Sequence, residues 1–298
     1  MKIGIFGMGA VGCALYNELK DYNDLYILAD EKRINKYNNE GFIINGNKYF
    51  PNTSSNLIPN LLIICVKNYH LESSLSDISK FVDENTILLP LLNGIEAHDI
   101  LKSYFPNNNI LYGVINVEAN KIKNEVHTSK IINLQFGEEY NNPIKPYLEN
   151  LSNLFKYYDV RHGIYPNMKK RVWLKWMLNM GINPISALLN ASYKDMSHPE
   201  IKKILYQIFE EVYEVSKAYN IGLDDNDLDE TKNRCEHFTS ERVTSLTIDF
   251  YNNSQNEFEA FTPTFIRLAE NKNINTPVNK VIYSLLKGLN DNKNGKDH

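Results

Sequence analysis

The stretch Lys2–Gly12 reads KIGIFGMGAVG and decides how the N-terminal half is interpreted. Lys2–Phe6 is a mostly apolar run that predicts a strand, and Val11–Lys20 predicts the helix after it. The turn between them has the GxGxxG pattern, formed by Gly7, Met8, Gly9, Ala10, Val11 and Gly12. Between a strand and a helix, this pattern predicts a dinucleotide-binding loop whose glycines allow a tight turn, close approach of a pyrophosphate and close helix packing. The helix N-terminus would offer N–H groups to that anion.

Outward from this stretch, apolar runs alternate with helical segments through the first half of the chain. The further predicted strands are Leu25–Ala29, Leu61–Val66, Thr86–Leu92, Ile110–Val117 and Ile131–Phe136, with a helix at Leu71–Phe81. Near-continuous apolar strands separated by helices indicate a mostly parallel, doubly wound α/β sheet with both faces covered.

Beyond about residue 165 strand patterns vanish and only helical spacing remains. The predicted helical segments are Lys169–Leu189, Pro199–Tyr219, Asp227–Asp249, Asn256–Asn271 and Thr276–Leu289. The length of 298 residues is enough for about two domains. We therefore expect a dinucleotide-binding domain over residues 1–165 and an all-helical substrate and catalytic domain over residues 166–298.

Composition excludes several classes of protein. Lys and Arg total 32 against 36 Asp and Glu, so no basic excess favours nucleic acid as a partner. No run of 18 apolar residues predicts a membrane span, and the N-terminus lacks the features of a signal peptide. The three cysteines, Cys13, Cys65 and Cys235, have no CxxC spacing, which argues against a disulfide framework and a zinc site. We expect a cytoplasmic protein without a metal centre.

The end of the second predicted strand bears on the choice between NAD and NADP. Asp30 lies 21 residues after Gly9, where an acidic residue binds the ribose hydroxyls of NAD. Such a charge would oppose the 2′-phosphate of NADP by roughly 1–4 kcal/mol. Lys32 and Arg33 follow at once and would clamp that phosphate if the loop turns them inward, or else begin a solvated helix. These residues leave both NAD(H) and NADP(H) open.

Polar residues also follow two other predicted strands. Lys67 comes after the run LLIICV, and Asn93 with Gly94 follows TILLPLL. Ligands bind at the carboxyl ends of strands in open α/β sheets. A single polar residue there is usually only turn chemistry, but two beside a glycine loop predict a contribution to the cofactor site.

The segment Trp173–Pro184, WLKWMLNMGINP, carries the sharpest polar pattern. Lys175, Asn179 and Asn183 are spaced i, i+4 and i+8, so they line one face of a helix that is otherwise apolar. An ammonium and two carboxamides should not be buried without partners, which predicts a ligand site rather than a solvated stripe. Near-helical spacing also relates four later residues that would close such a site or form a solvated face: Thr244, Ser245, Asp249 and Glu257.

Taken together, these motifs resemble the ketopantoate reductase (2-dehydropantoate 2-reductase) family over nearly the whole chain. The segments that carry the resemblance are GMGAVG at Gly7–Gly12, VKN at Val66–Asn68, LNG at Leu92–Gly94, WLKWMLNMGINP, and TSLTID with the NE that ends at Glu257. The resemblance implies a Rossmann-type domain and a helical domain of the 6-phosphogluconate-dehydrogenase type, with the substrate in a cleft between them. It also implies reduction of ketopantoate to pantoate by NADP(H), a step towards pantothenate and coenzyme A.

Residue roles follow from the same resemblance. Lys175 resembles the catalytic lysine, the general acid for the new alkoxide. Substrate-binding roles fall on Asn179, Asn183 and Ser245, and cofactor-binding positions on Lys67, Asn93, Ala119 and Glu257. Two positions depart from the family: Asp30 stands where an arginine is frequent, and Tyr193 stands where a further substrate asparagine is expected.

The sequence leaves alternative functions open. Tyr193 motivates a reductase of another branched 2-keto acid. A regulatory protein that senses the ratio of NAD(P) forms without turnover would have no need of a proton donor such as Lys175. A hydroxy-acid dehydrogenase with a His–Asp or His–Glu pair finds little support, because the seven histidines are scattered. We expect a small-molecule 2-keto acid as the partner. The sequence is compatible with a homodimer.

Overall fold

The computed structural model describes residues 1–122, 125–131, 133–252 and 255–293. The chain divides into two units, residues 1–172 and 173–298. The strands are β1 (Ile3–Phe6), β2 (Leu25–Leu28), β3 (Phe42–Ile44), β4 (Asn47–Tyr49), β5 (Thr53–Ser54), β6 (Leu61–Ile64), β7 (Ile87–Pro90), β8 (Tyr112–Asn116), β9 (Ala119–Ile122), β10 (Glu125–Thr128), β11 (Asn133–Gly137) and β12 (His162–Gly163). The α-helices are α1 (Ala10–Leu19), α2 (Glu31–Glu40), α3 (Leu71–Ile78), α4 (Ala97–Tyr104), α5 (Pro146–Tyr157), α6 (Met168–Leu189), α7 (Pro199–Ala218), α8 (Asp225–Glu236), α9 (Ser245–Tyr251), α10 (Thr262–Asn271) and α11 (Pro277–Lys293).

A parallel sheet of five strands organises the N-terminal unit, in the order β5-β2-β1-β6-β7. Ile3 of β1 pairs with Leu25 of β2 on one side and with Leu61 of β6 on the other. The strand order therefore reverses between β1 and β6, and in such sheets the crevice at this switch point is the usual ligand site.

Alternation along β1 explains why helices cover both faces of this sheet. Ile3 and Ile5 are fully buried in one apolar cluster, which also contains side chains of α1 and α5. Phe6 points to the opposite face and is buried in a second cluster with side chains of α3 and α4. The predicted doubly wound α/β domain is confirmed. Most of the strands end one or two residues inside the apolar runs, whereas β11 extends one residue further, to Gly137.

Two smaller sheets complete this unit. β8 pairs antiparallel with β11, β11 pairs parallel with β12, and a bridge between Leu88 and Ile110 extends the parallel sheet towards β8. The other sheet has the order β4-β3-β10-β9. Its strands were not predicted from the sequence, because they have three or four residues each and most of these residues are partly buried or exposed, so apolar periodicity is weak.

The C-terminal unit is helical, as predicted, and its described residues 173–252 and 255–293 contain no strand. Its core includes the fully buried side chains Trp176, Phe209 and Phe265. The Trp176 indole Nε1 donates to the Ala260 carbonyl over 3.0 Å, which satisfies the polar end of this buried ring.

The prediction of one continuous helix over Asp227–Asp249 was wrong. Helix α8 ends at Glu236, and α9 begins at Ser245. The second start is fixed by Thr244, whose hydroxyl accepts from the Thr247 backbone N–H over 3.3 Å and caps the new helix.

Candidate functional site

Two glycines of the turn after β1 are required by the fold itself. Gly7 has φ +102°, and a Cβ there would lie 2.8 Å from the backbone carbonyl carbon of Cys65. A Cβ on Gly12 would lie 2.1 Å from the Gly7 carbonyl oxygen. These contacts are with backbone atoms that cannot move aside, so both positions need glycine whether or not a ligand is bound.

Gly9 is different, because nothing in the protein occupies the space that its Cβ would fill. The nearest atom to an added Cβ is the Cys65 carbonyl oxygen at 4.0 Å. Gly9 is the N-cap of α1, makes no side-chain capping bond, and is followed by no acidic residue in the first turn. The first N–H groups of a helix have no partner within it, and together with the missing Cβ they form a cradle that fits the pyrophosphate of a dinucleotide.

The side chains within the loop serve packing. Met8 is buried, and its carbonyl accepts a weak hydrogen bond from the buried Cys13 thiol, with 3.7 Å between sulfur and oxygen. Val11 packs against the same apolar cluster as Ile3. The backbone of Met8, Ala10 and Val11 is therefore the part of the loop that a ligand can use.

Lys67 and Asn93 come to the same edge of the sheet as the glycine loop. Lys67 follows β6, Asn93 follows β7, and these strands are parallel neighbours beside β1. The side-chain amide of Asn68 donates to the Asn93 carbonyl over 3.0 Å, which ties the two strand-end loops together. Ala119 begins β9, three residues beyond the end of β8 at Asn116.

Asp30 and Arg33 pair with each other after the end of β2. Asp30 caps α2 by accepting from the Arg33 backbone N–H over 2.8 Å. Its other carboxylate oxygen lies 3.6 Å from Arg33 Nε, and both side chains are substantially exposed. Asp30, which favours NAD, and Arg33, which favours NADP, thus form an ion pair with each other.

The polar face of α6 combines burial with charge. Asn183 is buried, and Lys175 and Asn179 are half-buried. Burial lowers the pKa of Lys175 to about 8, and the negative charge of the buried Glu257 opposes this shift. The Lys175 ammonium therefore loses its proton more easily than an exposed lysine does. The nearby Glu257 carboxylate favours the charged form of Lys175 at neutral pH.

Glu257 reaches this position from a loop rather than from a helix. The expected helical spacing from Thr244 to Glu257 was wrong, since α9 ends at Tyr251 and Glu257 precedes the 3₁₀ turn Phe258–Ala260. Ser245 is the exposed first residue of α9.

Sequence reasoning missed the hydrogen bond from Trp176 to Ala260, which joins the helix of Lys175 to the turn that follows Glu257. Trp176 could be picked out in the sequence next to Lys175. Its hydrogen-bond partner, 84 residues away, could not be predicted from a local pattern.

Tyr193 lies in the turn after α6. Its backbone N–H donates to the Arg242 carbonyl over 2.8 Å, and its ring contacts Phe238 edge-on with 5.4 Å between ring centroids. Phe238 belongs to the segment between α8 and α9. The aromatic pair therefore connects the turn after α6 to the segment that leads to Ser245.

The described residues contain neither a metal-binding cluster nor a membrane-spanning helix. Among them, no three His, Cys, Asp or Glu side chains are grouped so that they could hold a metal ion. Within the same part of the chain, every helix is too short or too polar to span a membrane.

The chain is similar to known proteins over nearly its whole length. Residues 3–140 match the family described as "Ketopantoate reductase PanE/ApbA", and residues 167–290 match "Ketopantoate reductase PanE/ApbA C terminal". The 2-dehydropantoate 2-reductase of Streptococcus pyogenes is 26% identical over an alignment of 315 residues, which covers 96% of this chain and 97% of that protein.

Solved structures show the same fold. A dimeric ketopantoate reductase from Staphylococcus aureus superposes with a TM-score of 0.81 at 19% identity, covering 98% of this chain and 100% of that one. D-mandelate dehydrogenase in its ternary structure with NADH and anilino(oxo)acetate superposes with a TM-score of 0.87 at 20% identity, covering 99% and 100%.

Proposed function

Because the chain belongs to the ketopantoate reductase family of oxidoreductases, we propose that it reduces ketopantoate to pantoate with a nicotinamide cofactor. The observation that carries this proposal is Lys175, a half-buried ammonium with a pKa lowered to about 8 beside the buried carboxylate of Glu257. A proton donor of this kind is what the reduction of a ketone requires.

The cofactor would be held by the N-terminal unit and supplies the hydride when bound. Backbone N–H groups of Gly9, Ala10 and Val11 would bind its pyrophosphate at the start of α1. Lys67 and Asn93, at the neighbouring strand ends, would contact the cofactor further along the sheet edge, as would the backbone of Ala119. Glu257 matches a family position that contacts both the cofactor and the substrate.

Lys175 would act on the keto oxygen of the substrate. As the keto carbon is reduced, negative charge grows on this oxygen, and a nearby ammonium stabilises that charge more in the transition state than in the ground state. With a pKa of about 8, Lys175 is mostly protonated at pH 7 and can give its proton to the alkoxide. Glu257 favours the protonated form before the reaction.

The carboxylate and hydroxyl groups of the keto acid would be bound by the helical unit. Asn179 and Asn183 follow Lys175 at one-turn intervals along α6 and can orient the substrate by hydrogen bonds. Ser245, at the first position of α9, would donate its hydroxyl to the carboxylate, near the N–H groups at that helix end.

Two forms of the cofactor proposal are open to test. Family membership favours NADP(H), with Arg33 and Lys32 as the cations for the 2′-phosphate. The Asp30 carboxylate favours NAD(H), because it opposes a phosphate and accepts from ribose hydroxyls. We expect Asp30→Asn to lower KM for NADPH about tenfold relative to NADH, and Arg33→Gln to act in the opposite direction.

A second candidate substrate is a 2-keto acid other than ketopantoate. The contact between Tyr193 and Phe238 favours it, since an aromatic pair stands where the family has a hydrogen-bonding asparagine. Such a pair would suit a bulkier apolar substituent on the keto acid. D-mandelate dehydrogenase, whose fold this chain shares, is described with anilino(oxo)acetate, a 2-oxo carboxylate that carries an aromatic ring.

The test is steady-state oxidation of NADPH and of NADH with ketopantoate and with a phenyl-substituted 2-keto acid. We expect turnover with ketopantoate, and at least about 100-fold less kcat for Lys175→Met. Turnover with the aromatic acid alone would move the function to the second candidate. Cofactor binding without turnover of any 2-keto acid would contradict the reductase proposal and favour a sensor of cofactor state.

We also propose a homodimer, on the ground that the Staphylococcus aureus relative is described as dimeric. Light scattering coupled to size-exclusion chromatography measures this directly, with a mass near 69 kDa for the dimer against 34.5 kDa for one chain.

A further inference from the structure

Three buried hydroxyl groups form a chain of hydrogen bonds between the end of α6 and the start of α9. Ser186 Oγ lies 2.6 Å from the Ala191 carbonyl and 2.7 Å from Thr247 Oγ1. Thr247 Oγ1 lies 2.9 Å from Thr244 Oγ1. All three side chains are at most 1% exposed, so water does not compete for these bonds. We refer to Thr244, Thr247 and Ser186 as the hydroxyl chain.

The direction of every bond in the hydroxyl chain follows from its far end. A carbonyl can only accept, so the Ser186 hydroxyl donates to Ala191. The single proton of Ser186 is then used, and the Thr247 hydroxyl must donate to Ser186 Oγ. For the same reason the Thr244 hydroxyl donates to Thr247, while Thr244 Oγ1 accepts from the Thr247 backbone N–H. Each hydroxyl donates once, and removal of Thr247 breaks two bonds together.

The hydroxyl chain joins two residues of the proposed substrate site. Ser245 directly follows Thr244 at the first position of α9, so the position of its hydroxyl depends on where this helix begins. Asn183 lies three residues before Ser186 on α6, which puts the two on the same helix face. Both ends of the hydroxyl chain are therefore next to groups that would bind the keto acid.

We propose that Thr247 is a positioning residue that sets the place of Ser245 relative to Asn183 for binding of the 2-keto acid carboxylate. The inference rests on the proposed function. Thr247 does not touch substrate in this proposal; its hydroxyl fixes the N-terminus of α9 to Ser186, in addition to the longer bond of 3.4 Å that the Thr244 backbone N–H donates to Ser186 Oγ. The cofactor residues and Lys175 lie outside the hydroxyl chain, so their contributions should be unaffected by its loss.

Three variants test this proposal. Thr247→Val keeps the shape of the side chain but removes the hydroxyl, and Thr247→Ser keeps the hydroxyl. Thr231→Val is the matched control, since Thr231 is also buried but donates only to Asp227 of its own helix α8, over 2.8 Å. We expect Thr247→Val to raise KM for the keto acid about 3- to 10-fold, as for loss of a hydrogen bond at the site. Its kcat and its KM for the cofactor should stay within about twofold of the parent values. Its activity should also fall with rising pH over the same range as that of the parent.

Thr247→Ser should restore the parent KM for the keto acid, and Thr231→Val should leave it unchanged while lowering the melting temperature. Thr247→Val with an unchanged KM but the same loss of stability as Thr231→Val would overturn the proposal. A KM raised equally in Thr247→Ser and Thr247→Val would also overturn it.

Amide hydrogen exchange separates failure of this proposal from failure of the proposed function. If the parent enzyme turns over no keto acid, the proposed function fails, and exchange still tests the hydroxyl chain. We expect faster exchange over residues 244–248 in Thr247→Val, by about tenfold, and unchanged exchange there in Thr231→Val. Unchanged exchange in Thr247→Val would show that the hydroxyl chain does not fix the start of α9.

Discussion

At the scale of the residue, the proton on Lys175 sets the pH range of the proposed reaction. Its pKa is lowered to about 8 by burial, against the opposing charge of Glu257. The protonated form donates, so kcat/KM for reduction should fall as pH rises through about 8. Glu257→Gln removes the charge that raises this pKa, so the fall should begin at lower pH. Initial rates between pH 6 and 10 measure the shift.

Glu259→Gln is the control for this experiment, because Glu259 is exposed and lies only two residues from Glu257. Its pH profile should match that of the parent. In the proposed function Glu257 also contacts ligands, so we expect Glu257→Gln to lower the maximal rate as well. The informative quantity is therefore the pH at which the rate falls. A limb that stays in place or moves to higher pH would be evidence against the proposed coupling.

Gly9 allows cofactor binding to be separated from folding. Its added Cβ would come no nearer than 4.0 Å to the Cys65 carbonyl oxygen, and its φ of −80° is accessible to alanine. We therefore expect Gly9→Ala to change the melting temperature by no more than about 3 °C, while KM for the cofactor rises at least about tenfold because the Cβ fills the pyrophosphate cradle. Gly12→Ala, with its clash at 2.1 Å, should instead prevent correct folding. Cofactor titration and thermal unfolding measure the two effects, and parent-like cofactor affinity in Gly9→Ala would refute the cradle.

At the scale of the element, the sequence predicted strands and helices that have a regular apolar pattern. It missed those that are very short or that depend on a single capping residue. The buried strands β1, β6 and β7 are apolar almost throughout. Their existence and their order along the chain could therefore be predicted from the apolar runs in the sequence. The break between α8 and α9 depends instead on Thr244, a capping residue whose role is hidden among other polar residues. Strands β3 and β4 have three residues each, which is too few to show a period.

The candidate site divides in the same way. Lys175, Asn179 and Asn183 share one helix, so their common face followed from spacing alone. The placement of Glu257 near Lys175, and the hydroxyl chain between α6 and α9, join residues about 60 to 85 positions apart. No local pattern encodes such contacts, since they arise only when separate helices pack.

Helix α6 packs closely against α7 at Gly181. An added Cβ there would lie 2.5 Å from the ring of Phe209 and 3.0 Å from Leu205, and both side chains are fully buried. Alanine improves helix propensity by about 1 kcal/mol, but overpacking a tight core costs typically 1–3 kcal/mol. We expect Gly181→Ala to lower the free energy of unfolding by about 1–2 kcal/mol in a urea titration.

Gly288 in α11 is the matched control, because an added Cβ there meets nothing within 4 Å. Gly288→Ala should raise the free energy of unfolding by about 0.5–1 kcal/mol through helix propensity alone. In the double variant Gly181→Ala with Phe209→Leu, the loss should be smaller than the sum of the two single losses, because the shorter side chain makes room for the methyl group. A stabilising Gly181→Ala would mean that α6 and α7 are not in such close contact.

At the scale of the whole molecule, the group that serves the reaction should cost stability. In the unfolded chain Lys175 has an ordinary lysine pKa of 10.5, whereas in the folded chain burial lowers it to about 8. At pH 7 the folded protein therefore holds a charge that burial disfavours. Lys175→Met removes this charge and keeps an apolar side chain of similar length, so we expect it to stabilise the fold by on the order of 1–3 kcal/mol while abolishing most activity.

The pH dependence of that gain identifies its cause. Between about pH 8 and 10.5 the unfolded chain binds the proton on Lys175 more tightly than the folded protein does, so the stability of the parent rises with pH relative to the variant. The advantage of Lys175→Met should thus be largest at pH 7 and shrink by pH 10, as measured by urea unfolding of both proteins. Lys203→Met, at an exposed lysine in the same unit, should show little gain at either pH. If Lys175→Met gains the same stability at both pH values, burial of the charge is not the reason, and the low pKa that the proposed proton transfer needs is not present.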